Sequence, residues 1–151
     1  MPKTVYDPSD CDQFGNLDAN LRFLERTGAI EGPGRILEIG SGRGDLLAEF
    51  QRRRLRAAGI EPSAELARDA RAKHGPLPLA RMAGERLGFV GGAFRLVVSF
   101  DVFEHIRASD THLDDVARVL EPGGVYAFQT PNKWTNTVFE TVRWRSFTAW
   151  R

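Results

Sequence analysis

The chain has 151 residues, 42% hydrophobic and 27% charged, with a formal net charge of +1. This suits one globular domain burying about 68–70% of the surface of its unfolded chain, rather than a disordered segment. The near-neutral balance carries no electrostatic footprint for nucleic acid, and the single cysteine, Cys11, excludes an internal disulfide or a thiolate zinc site and points to a reducing, cytoplasmic setting.

The start, MPKTVYDPSD, lacks the apolar stretch of a signal peptide. NLDANLRFLERTGAI reads as an amphipathic helix with Asp18 as its cap and an end near Gly28. RILEIG is a buried strand, DLLAEFQRRR a helix, and RAAGIE a second strand closing on Glu61 before the Pro62-Ser63 turn. Ser63 caps the helix AELARDARAKHG, which stops at Gly75 with His74 in its last turn, and LPLARMAG is a weaker third strand. FRLVVSF is the strongest strand. It lies in the longest apolar run, which Arg95 and Asp101 interrupt, so no integral membrane association is expected. A helix from Ser109, stopped by Pro122 and Gly123, leads into the fifth strand, VYAFQT.

Strands alternating with helices predict a parallel sheet covered on both faces, because parallel neighbours need crossover connections. Ligands bind such sheets at the carboxyl ends of the strands. The stretch Glu38 to Gly44, Glu61, the MAGE turn and Phe100-Asp101 each fall at a predicted strand end, so one crevice is expected to collect them.

Within RILEIGSGRGD, Gly40, Gly42 and Gly44 are spaced G-x-G-x-G and flanked by Glu38 and Asp45. A dinucleotide fingerprint reads G-x-G-x-x-G; here its third glycine position holds a carboxylate near a helix start, where a pyrophosphate fits poorly. A ligand with ribose and adenine but a cationic amino-acid tail suits the loop, since glycines admit the ligand closely and carboxylates meet an ammonium. S-adenosylmethionine is such a ligand. Glu61, about 20 residues past the loop, suits a ribose diol because its two oxygens can accept both hydroxyl protons.

ILEIGSGRG, GIEPS, ERLGF, FRLVVSFDVFEHI and VLEPGGVYAFQTPN together resemble the class I S-adenosylmethionine-dependent methyltransferases, in particular the small-molecule enzymes of the UbiE/UbiG-like, or type 11/12, group. The resemblance covers most of the chain after residue 30. It implies a Rossmann-like three-layer sandwich with a mostly parallel sheet, and methyl transfer to an O, N or C nucleophile of a small-molecule or lipid-like acceptor, leaving S-adenosylhomocysteine. The cofactor residues it implies are Glu38, Gly40, Ser41, Gly42, Gly44, Glu61, Pro62, Gly84, Glu85, Phe100 and Asp101. Ala83 and Gly84 stand where many relatives carry an adenine-binding aspartate, with Glu85 or the backbone there as the substitute.

His105 is the candidate general base toward a hydroxyl acceptor, histidine being the side chain that titrates near neutrality. A metal pair of His105 and His112 fits no common ligand spacing, so no metal is expected. Residues 1–30 form an arm and helix that serve as a candidate lid, with Tyr6 and Phe14 in it, and residues 31–151 form the cofactor-binding domain. The chain is expected to be truncated, stopping short of the family's late antiparallel strand pair. VYAFQT is then an exposed edge, inviting self-association or a cover made from Trp134, Phe139, Trp144, Phe147 and Trp150. The competing readings are a protein that binds S-adenosylmethionine without chemistry and, further off, an NAD-dependent oxidoreductase.

Overall fold

A computed structural model describes residues 17–130 in full, and the backbone of residues 138–143 and 146–148. In chain order the elements are α1 (Leu17–Arg26), β1 (Arg35–Ile39), α2 (Asp45–Arg52), β2 (Arg56–Ile60), α3 (Ala64–His74), β3 (Leu79–Ala80) and β4 (Phe94–Phe100). A short 3-10 turn (Phe103–His105) follows, then α4 (Ser109–Val119), β5 (Leu120–Thr130), β6 (Val138–Arg143) and β7 (Ser146–Thr148).

The strands lie in the order β3-β2-β1-β4-β5-β6-β7. β1 to β5 are mutually parallel, with Glu38 beside Gly59 on one side and Val98 on the other. Side chains alternate between the two faces, as a strand's period of two requires. Ile36, Leu96, Val98 and Ala127 pack with Leu21 and Leu24 of α1 and Phe50 of α2. Leu37, Ile39, Val97, Tyr126 and Phe128 pack with Val116 and Val119 of α4. α3 adds a smaller cluster in which Ala67 and Ala70 meet Leu47, Leu77 and Leu79. The result is the α/β, Rossmann-like three-layer sandwich with a mostly parallel sheet.

Leu24 of α1 is fully buried in the sheet's own core, so this helix is part of the domain's packing. The arm before it, with Tyr6 and Phe14, lies outside the described residues. Ser63 caps α3 as its sequence predicts, its Oγ accepting from the Leu66 amide at 3.3 Å.

The expectation that the sheet lacks an antiparallel pair is corrected. β6 runs antiparallel to β5 from Val125↔Arg143 to Thr130↔Val138, and β7 runs antiparallel to β6. Counting a helix into the segment after Thr130 leaves too few residues for a pair, but antiparallel neighbours need no crossover. The outer flank of β5 is therefore paired within the chain, so VYAFQT is not the exposed edge its sequence predicts. Phe139 and Phe147 fall on these added strands; Trp134, Trp144 and Trp150 lie outside the described residues.

Candidate functional site

The carboxyl ends of β1, β2, β3 and β4 meet at one edge of the sheet, and the loop after β1 lies across them. The amides of Gly40 and Ser41 both donate to the Ile60 carbonyl, at 2.9 and 3.0 Å, which folds the loop over the end of β2. Gly40, Gly42 and Gly44 have φ of 72°, 51° and 77°, the left-handed region where a side chain is strained. A Cβ on Gly40 would lie 2.3 Å from Val102, so the loop fits against the segment after β4 only without one. Gly44 is required on the other side: its missing Cβ faces Leu77 and Ala70, so it serves the packing of α3. Ser41 is buried, with its Oγ 2.2 Å from where a Cβ on Gly59 would stand, which accounts for a glycine in the middle of β2.

Two buried carboxylates lie beneath this loop. Both oxygens of Glu61 are engaged by backbone, Oε2 accepting from the Gly42 amide at 2.9 Å and Oε1 from the Ser63 amide at 2.8 Å. Burial raises the Glu61 carboxyl above its ordinary range, and the two amides pull it back. Glu38 is 6% exposed, and its Oε2 has no hydrogen-bond partner. Burial pushes Glu38 up from 4.5 to about 8; a hydrogen bond from Ser41 opposes the shift, and the charges of Glu61 and Asp45 add to it.

Asp45 plays a different part from the one expected of the loop's second acid. Its Oδ1 accepts from Lys73 Nζ at 2.7 Å and lies 2.8 Å from His74 Nε2, so it ties the start of α2 to the basic end of α3. The acid facing the loop is the pair Glu38 and Glu61.

Glu38 has a pH consequence. Its folded-state value lies above its unfolded one, so its stabilising contribution is complete below about pH 4.5 and is lost as pH rises through about 8. Glu38→Gln cannot ionise. The variant is expected to melt higher than the wild type near pH 9 and close to it near pH 5, and a thermal unfolding series across pH checks this. An equal shift at both ends would show that the carboxylate's burial is not the cause.

At the end of β3 the turn carrying Gly84 and Glu85 sits on β1. A Cβ on Gly84 would lie 3.0 Å from Ile106 and 3.1 Å from Ile39. Glu85 Oε1 accepts from the Arg107 amide at 3.4 Å. Pro62 is exposed and uses its carbonyl to accept from Arg81 Nε. At the end of β4, Phe100 meets Phe23 of α1 edge-on at 6.3 Å. Asp101 adopts φ of 55°, its amide donating to the Gln129 carbonyl at 3.0 Å. A left-handed aspartate is uncommon but tolerated, and at a strand end it aims the following turn. Burial and the Glu104 charge push the Asp101 carboxyl up to about 6, against the opposing charge of His105. His105 is exposed, at the end of the 3-10 turn.

Glu38, Gly40, Ser41, Gly42, Glu61 and the strand-end turns at Gly84 and Phe100-Asp101 are thus brought to one edge. Val102 and His112 also belong to it and were not read as such from sequence. Val102 fills the space a Cβ at position 40 would take, and His112, fully buried, lies 2.8 Å from the Gly84 carbonyl through Nδ1. A buried histidine on an amphipathic helix has no distinguishing spacing; only the chain's return brings its partner.

A family model described as "Methyltransferase domain" matches residues 13–151. The chain is 28% identical over 127 residues to the ubiquinone biosynthesis O-methyltransferase of Rhizobium rhizogenes, covering 82% of this chain and 48% of that protein. Among solved structures, an S-adenosylmethionine-dependent methyltransferase from Archaeoglobus fulgidus superposes with a TM-score of 0.68 at 16% identity, covering 82% of this chain and 57% of that one. Another, from Mesorhizobium loti, gives 0.65 at 20% identity over 85% of this chain and 67% of that one. The chain belongs to the methyltransferase-domain family, as a class I S-adenosylmethionine-dependent, UbiE/UbiG-like member. It spans about half the length of the curated relatives it matches, 48% in the case of the Rhizobium rhizogenes enzyme. Among the described residues, no helix is long and apolar enough to cross a membrane.

Proposed function

We propose that the crevice binds S-adenosylmethionine and delivers its methyl group to a small-molecule nucleophile, with oxygen as the favoured acceptor atom. The name of the Rhizobium rhizogenes relative, an O-methyltransferase, supports oxygen. The observation that carries the reading is Glu38 Oε2, a buried carboxyl oxygen without a partner beneath a glycine loop, in a group that burial holds protonated up to about pH 8. A cation beside such a group favours its ionised form, so the ligand's ammonium completes Glu38 as a carboxylate. When bound, S-adenosylmethionine supplies a sulfonium methyl already activated for in-line displacement, with S-adenosylhomocysteine as the leaving group.

The chain's own residues then bind and orient. Glu38 faces the ammonium. Glu61 uses the lone pairs left after its two backbone bonds to accept from the ribose hydroxyls, and the Gly84-Glu85 turn bounds the adenine. Phe100 and Asp101 line the methionine side. Orientation and exclusion of water supply most of the acceleration, an effect worth about 7–11 kcal/mol in well-aligned reactions.

Isothermal titration with S-adenosylmethionine, S-adenosylhomocysteine and NAD is the direct test. Binding of the first two without NAD is expected, and an NAD affinity equal or stronger would overturn the assignment. Methyl transfer from isotopically labelled cofactor to a panel of phenolic, amine and carbon acceptors then separates transfer from binding alone. A chain that binds and transfers to none of them would favour the non-catalytic reading.

A further inference from the structure

We propose that His112 is a positioning residue for the adenine side of the cofactor crevice, fixing the Gly84 turn from beneath through a buried hydrogen-bond chain that reaches the end of β4. The proposal rests on the reading of the crevice as a cofactor site. It concerns a residue that the family motifs do not point to.

The segment between β3 and β4 has almost no regular structure of its own, and one face of α4 holds it by its backbone. His112, Asp115 and Arg118 recur every three residues and so share that face. His112 Nδ1 lies 2.8 Å from the Gly84 carbonyl. Asp115 Oδ2 accepts from the Leu87 amide at 2.6 Å. Arg118 donates to the carbonyls of Leu87 and Phe89, both at 2.6 Å. Asp115 and Arg118 are partly solvated, whereas His112 is fully buried.

Beyond the turn, His112 Nε2 lies 2.9 Å from Tyr126 Oη, which lies 2.7 Å from Ser99 Oγ. The partners assign the protons. A carbonyl only accepts, so Nδ1 carries the hydrogen; burial disfavours the charged ring, and the neutral ring accepts at Nε2 from the Tyr126 hydroxyl, whose oxygen accepts from Ser99. Every link is satisfied, as a buried polar chain must be. Ser99 directly precedes Phe100 and Asp101, so the chain joins the turn on the adenine side to the strand end on the methionine side. A Cβ on Gly84 would crowd Ile39 and Ile106, so the turn lies close over β1, and His112 Nδ1 meets its carbonyl from below.

Two substitutions separate the ring's two ends. The amide nitrogen of asparagine falls near the position of Nδ1, and that of glutamine near Nε2. Titration with S-adenosylhomocysteine is expected to give His112→Asn an affinity within about twofold of wild type, and His112→Gln and His112→Phe a loss of about tenfold, the scale of one hydrogen bond. If Asn binds as poorly as Gln, or all three bind like wild type, the positioning role is overturned. The ring of the wild-type protein gives a second reading that needs no variant to fold: nitrogen-15 spectra should show the neutral tautomer protonated at Nδ1. A hydrogen on Nε2 alone, or a charged ring near pH 7, overturns the proposal. Failure of the wild type itself to bind S-adenosylhomocysteine would instead refute the cofactor reading, while the tautomer still reports on the buried chain.

Discussion

Glu61→Ala should weaken S-adenosylmethionine by well over tenfold, the larger of the expected effects on binding. The side chain has two jobs in the proposed complex. In the free protein each carboxylate oxygen already accepts one backbone amide, from Gly42 and from Ser63. A carboxylate offers about four lone-pair positions, so one remains on each oxygen, enough for both hydroxyls of a ribose. Hydrogen bonds to a charged group contribute about 1.5–3 kcal/mol each, and loss of one alone corresponds to about tenfold or more in affinity. Alanine also leaves the Gly42 amide without its acceptor, so the glycine loop loses the tie that holds its centre over β2. The melting temperature should fall as well, because buried unpaired donors cost about 1–3 kcal/mol. Titration of a folded Glu61→Ala protein with wild-type affinity would show that the acid only shapes the loop.

That double duty marks how far the sequence could be read. An acid at the end of the second strand is visible in GIEPS, and the crevice followed from strands whose apolar runs leave little choice of element, FRLVVSF above all. The amides that fill half of the carboxylate's capacity are not visible, since Gly42 lies 19 residues earlier and is brought to Glu61 only by the pairing of β1 with β2. Asp45 failed as a loop acid for the same reason. Lys73 and His74 are 28 and 29 residues away, and their positions depend on how α3 packs against α2. The clamp from α4 is harder still to read, because Asp115 and Arg118 bond to backbone groups and any residue at positions 87 and 89 could supply those. β6 and β7 read as a covering tail in the sequence because short aromatic and β-branched stretches carry too few repeats of the period of two to announce strands.

His105→Asn is expected to cut the rate of methyl transfer to a hydroxyl acceptor by about 10²–10⁴-fold while leaving cofactor affinity near wild type, if the histidine is the general base. The geometry supports this split. His105 ends the 3-10 turn four residues after Asp101, its amide donating to the Val102 carbonyl at 2.9 Å, and it is exposed at the rim of the crevice rather than packed beneath the loop. A residue so placed contributes little to holding a buried ligand and can still meet an acceptor arriving from solvent. Asp101 lies close enough for the two charges to interact, and its carboxyl, raised to about 6 by burial and by Glu104, is ionised above that pH. An ionised Asp101 favours the imidazolium that forms when His105 takes the hydroxyl proton. The rate should therefore rise with pH through about 6, as Asp101 ionises, and flatten above it. Asparagine at position 105 should lower kcat far more than it changes the KM for the cofactor. Unchanged turnover with the same pH profile would leave orientation alone to account for the chemistry, and would place the proton's acceptor elsewhere, in solvent or on the substrate itself.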